Sequence, residues 1–505
     1  MRRSVLFTAL LAAPSFAQQH ATQRATPAKM YACQTAHSKA MAFCDSSKDF
    51  SSRVADLLGR LTTQEKISLM GAHGHDICAF EDGGVPRLDI PSYTWCVETN
   101  TGVSTVCMQE GKCATTFPSP AAMAASFNRS LWRSKGATQS TEQRALFNLG
   151  AIRRDSQGSP IGLNGWGPNI NTVRDPKYGR NSELPSEDPT LVRHRFFIDS
   201  GRVPLLVLRR WLAGWLTRAC AGATAFCLQN GAYAVEEVRG MQEGDDPNWP
   251  LKIHATLKHY TAYSVETNRF GFIGNASTYD VYDSFLPQYA AAFQKGNAAG
   301  VMCSYMSLRI KDADAPASQP PPPAHPSCAS DFLLNEMVRK SWGQEDALIV
   351  TDCEATASMY EHNHLATDVA DAAAKSINAG VDLNTGTPFW QAGGLNQSLS
   401  AGTVDLHTID TALNRSLMWK MRLGLFDDPA KQKYSQLGLE SVNSTAAQEL
   451  VQEAAAQGLV LLRNNDSLLP LGKGVKVAVV GSHAMATRDL LSDYYGAVRK
   501  PPDLT

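Results

Sequence analysis

DALIVTDCEA, residues 346–355, runs four apolar residues, Ala347 to Val350, straight into a polar end centred on Asp352. A strand buried on both faces reads this way when its C-terminal tip opens onto a pocket. Three upstream segments end alike. IHATLKHY (253–260) delivers Lys258 and His259, GVMCSY (300–305) stops at Tyr305, and GLNGWGPNIN (162–171) leads to Arg174, Asp175 and Arg180. Apolar strands that each place polar residues at their C-terminal ends predict a (β/α)8-type TIM barrel with its site on that face. Asp352 is the candidate nucleophile.

Outward from that segment, strand–helix units recur about 40 to 50 residues apart, so each strand returns through a crossover and pairs in parallel. The pattern gives strands at 253–259, 300–305 and 347–352. Helices are expected at 280–295, at 330–342 (capped by Ser330 or Asp331) and at 366–378. Ala379 to Leu383 begins another strand. An open doubly wound sheet is the competing architecture, but no glycine-rich phosphate turn follows an early strand. Upstream, SSRVADLLGRLTTQEKISLM (51–70) has helical periodicity, and Thr62 to Glu65 offers a capping box. Residues 83–103 are rich in Gly and Pro and read as loop. There Trp95 and Glu98 fit either a sugar pocket, where a ring covers C–H faces and a carboxylate takes hydroxyl protons, or a loop with an anchoring tryptophan.

The chain has 505 residues, 43% of them hydrophobic, a net charge of −1, a mean hydropathy of −0.23 and a pI near 6.9. It can bury large cores in two or three domains, and the balanced charge argues against nucleic-acid or membrane partners. Arg2 and Arg3, the apolar run Val5 to Ala13 and Ser15-Phe16-Ala17 read as a secretory signal peptide over 1–17. Sequons at Asn128, Asn275, Asn396, Asn414, Asn443 and Asn465 are compatible with a secreted, extracellular glycoprotein. Eleven cysteines fit an oxidising compartment, with Cys107–Cys113 and Cys303–Cys328 as local bridges. The Pro320–Pro323 run sits in an extended loop, 317–326. HGHD (73–76) and EHNH (361–364) each lack a third ligand at a recognisable spacing, so neither metal nor cofactor is called for.

At these motifs the chain resembles glycoside hydrolase family 3, in its secreted β-xylosidase-like branch. WGPNINTVRDPKYGRNSELPSEDP (166–189), LKHYTAYSVE (257–266), VMCSY (301–305) and VTDCEA (350–355) follow the family's order, and GLVLLRNNDSLLPL with KVAVVG (476–481) resembles its linker and second domain. The resemblance implies Asp352 as nucleophile and Glu98, Arg180, Lys258, His259 and Tyr305 as sugar-binding residues. Cys96 and Thr101 depart from the commonest form, where Trp and His are usual. After the signal at 1–17 and an extension at 18–50, the resemblance implies a barrel over 51–430. A linker at 431–474 and the start of an incomplete α/β sandwich domain at 475–505 would follow. The family's acid/base glutamate lies in that second domain and has no counterpart here; Glu354 and Glu361 do not belong to its element. Residues 193–229 interrupt the family pattern and read as translated intron or an inserted helix. The expected activity is hydrolysis of terminal β-xylosyl residues from oligosaccharides, with β-glucosidase or a non-catalytic sugar-binding chain as the alternatives. The expected mechanism is retaining, with cations beside Asp352 holding its pKa down.

Overall fold

The computed structural model describes residues 30–73, 81–154, 159–189, 229–244, 251–312, 320–486, 491–492 and 494–495. The expected signal peptide and residues 193–228 of the suspected insert lie outside them.

The strands, in chain order, are β1 (Val97–Glu98), β2 (Asn164–Asn169), β3 (His254–Tyr260), β4 (Ile273–Ser277), β5 (Gly300–Cys303), β6 (Ser307–Lys311), β7 (His325–Pro326) and β8 (Leu348–Thr351). Five form an all-parallel sheet in the order β1-β2-β3-β5-β8, while β4, β6 and β7 make a smaller sheet beside it. Every residue of the five is buried, as both faces of a parallel sheet covered by helices require, and the runs of β5 and β8 are apolar up to Cys303 and Thr351.

Helices make each crossover. With α1 (Phe50–Arg60) and α2 (Thr63–Ser68) preceding the sheet, α3 (Arg129–Asn148) joins β1 to β2 and α4 (Gln229–Gln242) precedes β3. Then α5 (Pro287–Gly296) and the π-helical α6 (Phe332–Ser341) lead into β5 and β8, and α7 (Val369–Asn378) follows β8. The expected 51–70 helix is two, broken at Leu61, and Thr62 and Glu65 form the capping box. Val54 and Leu57 of α1 are fully buried beside α8 (Leu406–Arg422). Helices α3 and α4 cross at glycines: a Cβ at Gly136 would meet the Glu237 carbonyl oxygen at 2.3 Å, and one at Gly240 the Arg133 oxygen at 2.1 Å. Only glycine lets the two backbones approach this closely.

Beyond β8 the sheet continues by single parallel bridges, Val350 to Leu383 and Gly71 to Asn384. The strand expected from Ala379 is thus one bridge. The Asp382 side chain accepts the Ile349 N–H at 2.8 Å, taking the place of a ladder carbonyl, and is itself pinned by Arg339 and Arg415. Among the described residues no ladder joins this edge to β1, so the hydrogen bonds draw a parallel α/β sheet with helices rather than the full closed barrel.

Helix α9 (Thr445–Gln457) is rich in alanine, glutamine and glutamate, good helix formers, and Ser444 caps it by accepting the Ala447 N–H. The apolar runs LVLLRN (459–464) and KVAVVG (476–481) form no strand; Leu462 is 91% and Val480 86% exposed. A strand needs a neighbour for its N–H and C=O groups, and neither segment has one among the described residues. Disulfides join Cys107 to Cys113 and Cys303 to Cys328, as expected, and also Cys33 to Cys44. Cys353 is likewise disulfide-bonded, whereas Cys96 is free and buried.

Candidate active site

The parallel sheet brings the six expected residues to one end. Glu98 is the last residue of β1, Lys258 and His259 lie near the end of β3, Tyr305 follows β5 and Asp352 follows β8. Arg180 caps the short turn Asn181–Glu183 in the loop after β2. All six are buried. Arg174 and Asp175 stay outside: both are exposed, Arg174 lies over the Phe285 ring, and Asp175 accepts the Lys177 amide at 2.8 Å. Trp95 is also no sugar platform. It is 1% exposed and donates its indole N–H to Asp82 at 2.8 Å, the anchoring role.

Two buried ion pairs frame the site. Lys258 Nζ meets Glu98 Oε2 at 2.5 Å. Arg180 grips Glu183 with both ends of its fork, at 2.7 and 3.0 Å, and Asn169 donates to the same carboxylate at 3.0 Å. Bidentate geometry of this kind fixes direction as well as charge. Burial alone would raise the Glu183 carboxyl, but Arg180 outweighs it and holds the group below the usual range. For Glu98 burial wins over Lys258, and its carboxyl is pushed up.

His259 is fixed by its surroundings. Its backbone exchanges hydrogen bonds of 2.8 Å with the Asn171 side chain, and Arg180 Nη2 donates to its Nε2 at 3.2 Å. Burial, with Arg180, Lys258 and Arg269 nearby, lowers its pKa well below normal, so the ring is neutral. Because Nε2 accepts from Arg180, the proton belongs on Nδ1.

Asp352 donates its backbone N–H to the Cys303 carbonyl at 2.9 Å, which ties it to the neighbouring strand. Its Oδ1 accepts the Cys353 N–H at 2.8 Å. Among the described residues its buried Oδ2 has no hydrogen-bond partner, and it lies 3.7 Å from His259 Nε2. Contrary to the expectation from the sequence, nearby cations do not depress this carboxyl below its ordinary range. Burial pushes its pKa up, and Arg180, the Cys353 amide, Lys258 and the Tyr305 hydroxyl offset that only in part.

Several neighbours were not anticipated. Glu183 stands three residues after Arg180, a spacing that could have marked the pair. Tyr263 lies with its ring 5.4 Å from the Arg180 guanidinium carbon and 5.1 Å from the His259 ring centre. Tyr494 arrives from far along the chain, so no local spacing marks it. Its hydroxyl accepts from Arg180 at 3.2 Å, its ring centre is 4.1 Å from Lys258 Nζ, and its carbonyl accepts from Thr101 at 3.0 Å. An aromatic face over an ammonium is a favourable cation–π arrangement.

The model of the "Glycosyl hydrolase family 3 N terminal domain" matches residues 228–418. The chain carries the N-terminal domain of glycosyl hydrolase family 3. A beta-xylosidase/alpha-L-arabinofuranosidase 1 of Medicago sativa subsp. varia is 35% identical over 485 residues, 92% of this chain and 53% of the relative. Beta-D-xylosidase 3 of Arabidopsis thaliana is 34% identical over 92% of this chain and 53% of its own length. The chain thus spans about half the length of the curated relatives it matches. Among solved structures, a GH3 exo-beta-xylosidase (XlnD) in complex with a xylobiose aziridine activity-based probe superposes with a TM-score of 0.70. It shares 27% identity, over 90% of this chain and 51% of that one. Beta-glucosidase 3B from Thermotoga neapolitana, at 22% identity and a TM-score of 0.58, shares the fold.

Proposed function

We propose that the protein is a secreted, retaining exo-β-glycosidase that removes terminal β-xylosyl residues from xylo-oligosaccharides. The observation that carries this reading is the Asp352 carboxylate. Its Oδ1 is held by the Cys353 amide, while its buried Oδ2 has no hydrogen-bond partner among the described residues and is left to attack. In a retaining hydrolysis Oδ2 would bond to the anomeric carbon as the glycosidic C–O bond breaks, the leaving oxygen taking a proton. Water then displaces the sugar from Asp352 and restores the carboxylate. Arg180, Lys258 and neutral His259 bind ring hydroxyls, and their hydrogen bonds strengthen as positive charge develops at the ring. Tyr494 and Tyr263 cover the sugar's C–H faces.

Glu98 and Glu183 are committed to Lys258 and Arg180, so neither is assigned as the proton donor. An aryl leaving group needs little protonation, and that makes nitrophenyl glycosides the suitable probe. Xyloside preference rests on Glu98 at the end of β1 and on the relatives' printed names; β-glucosidase is the second reading, supported by the shared fold. We also infer that the parallel sheet is most of a (β/α)8 barrel, with Leu383 and Gly71 marking two further strand positions. Three disulfides among the described residues support an oxidising, extracellular location. The test is turnover of 4-nitrophenyl β-xyloside, β-glucoside and α-arabinofuranoside by the full chain. A higher kcat/KM for the xyloside is expected; preference for the glucoside, or no turnover of any, overturns the reading.

A further inference from the structure

We propose that Glu354 is a positioning residue that clamps the turn carrying Asp352 and so sets the direction of its attacking oxygen. The inference rests on the reading of Asp352 as nucleophile. Two residues past Asp352, Glu354 has a φ of 58°, in the left-handed region that favours glycine. A side chain there is strained unless the surrounding structure holds it, and such strain tends to sit at functional sites.

The hold is visible. The Thr387 N–H donates to both carboxylate oxygens of Glu354, at 2.9 and 3.1 Å, and the Thr387 hydroxyl donates at 3.2 Å. The Glu354 carbonyl accepts from Ser358 N and Oγ at 3.0 and 3.1 Å. Gly386 lies so close that a Cβ there would meet Glu354 Oε2 at 2.5 Å and its Cα at 3.0 Å. On the other side of the nucleophile, Thr385 donates its N–H to Thr351 Oγ1 at 3.0 Å and its hydroxyl to the Thr351 carbonyl at 2.7 Å.

The segment 385–387 is therefore stitched to the residue before Asp352 and to the residue two after it. Between those stitches lies the Cys353 N–H that occupies Asp352 Oδ1 and leaves Oδ2 open. Losing the second stitch loosens the turn within what the Cys353 disulfide allows, so that N–H can rotate, and misplacing a reacting group by an ångström slows reaction by about a hundredfold. Glu354 acts on the chemistry through Asp352; its own carboxylate is occupied by Thr387.

Two variants separate the clamp from the backbone. Glu354→Gly keeps the left-handed turn and removes the carboxylate, whereas Glu354→Gln keeps an oxygen for the Thr387 N–H. With 4-nitrophenyl β-xyloside, Glu354→Gly should lower kcat by about tenfold or more while KM stays within about twofold. Amide hydrogen exchange should quicken at 351–355 and 385–387 but not in β3. Glu354→Gln should recover most of the rate, and Gly386→Ala, which crowds the carboxylate, should mimic the loss. An unchanged kcat in Glu354→Gly, or equal losses in the Gly and Gln variants, overturns the proposal. If the wild-type chain neither hydrolyses the xyloside nor is trapped by a fluorinated one, the glycosidase reading has failed. The exchange arm then decides alone, and unaltered exchange at 351–355 in Glu354→Gly sinks the clamp.

Discussion

Replacing Asp352 by asparagine should abolish turnover and stabilise the protein at neutral pH. Burial holds the Asp352 carboxyl above its ordinary range, and Arg180, the Cys353 amide, Lys258 and the Tyr305 hydroxyl recover only part of that cost. With the folded value above the unfolded one, ionisation costs nothing below the unfolded pKa of about 3.9. The cost is complete above the folded pKa, so stability is lost as pH rises through the window between them. Asparagine never ionises, keeps an oxygen for the Cys353 N–H, and puts an amide where Oδ2 lay 3.7 Å from the accepting nitrogen of His259. Relief of a strained functional group of this kind contributes about 0.5–2 kcal/mol. In a chain of this size that is a rise in Tm of about 1–4 °C. Calorimetric melting of both proteins, from about pH 4 to about pH 8, should show the gap widening towards neutrality. Meanwhile kcat falls by about ten-thousandfold or more. A variant that melts below the wild type at neutral pH, or a gap that narrows as pH rises, would mean that the cations outweigh burial and would refute the reasoning.

Tyr305→Phe removes a hydroxyl that favours ionised Asp352, so the acid limb of kcat/KM should move to higher pH; a limb that stays or moves down contradicts the assignment. Glu98→Asp shortens the carboxylate on Lys258 and should shift preference from xyloside towards glucoside by making room for a hydroxymethyl group. An unchanged ratio of the two kcat/KM values removes Glu98 from specificity. Lys135 and Glu237 form a fully buried pair at 2.7 Å between α3 and α4, and Lys135 also donates to the Asn100 carbonyl at 2.8 Å. Lys135→Met strands a buried carboxylate and should cost about 3–5 kcal/mol in urea unfolding, most of it recovered by adding Glu237→Leu. A double variant no better than the single one would show that the pair, not the stranded charge, matters.

What was legible in the sequence was local. Strand tips reveal themselves because apolar runs end abruptly in polar residues, so Lys258, His259, Tyr305 and Asp352 were found one strand at a time, and the parallel sheet then collected them. The Thr62 box was readable because its partners lie three residues apart. Arg174 and Asp175 looked equally promising, but a polar residue after a strand can turn outward as readily as inward. The strand at Ala379 was lost to a side chain, Asp382, that competes with the ladder in a way no periodicity records. Tyr494 and the Glu354–Thr387 clamp depend on contacts between distant segments. The pKa of Asp352 depends on burial, which motif spacing does not measure.

A retaining mechanism requires Asp352 to form a covalent bond to the sugar. Incubating the full chain with a 2-deoxy-2-fluoro-β-xyloside bearing an activated leaving group, then digesting it and sequencing the labelled peptide by mass spectrometry, tests this directly. One fluoroxylosyl adduct is expected, on Asp352, and none in the Asp352→Asn variant. An adduct on another carboxylate, or labelling that survives the substitution, would contradict it.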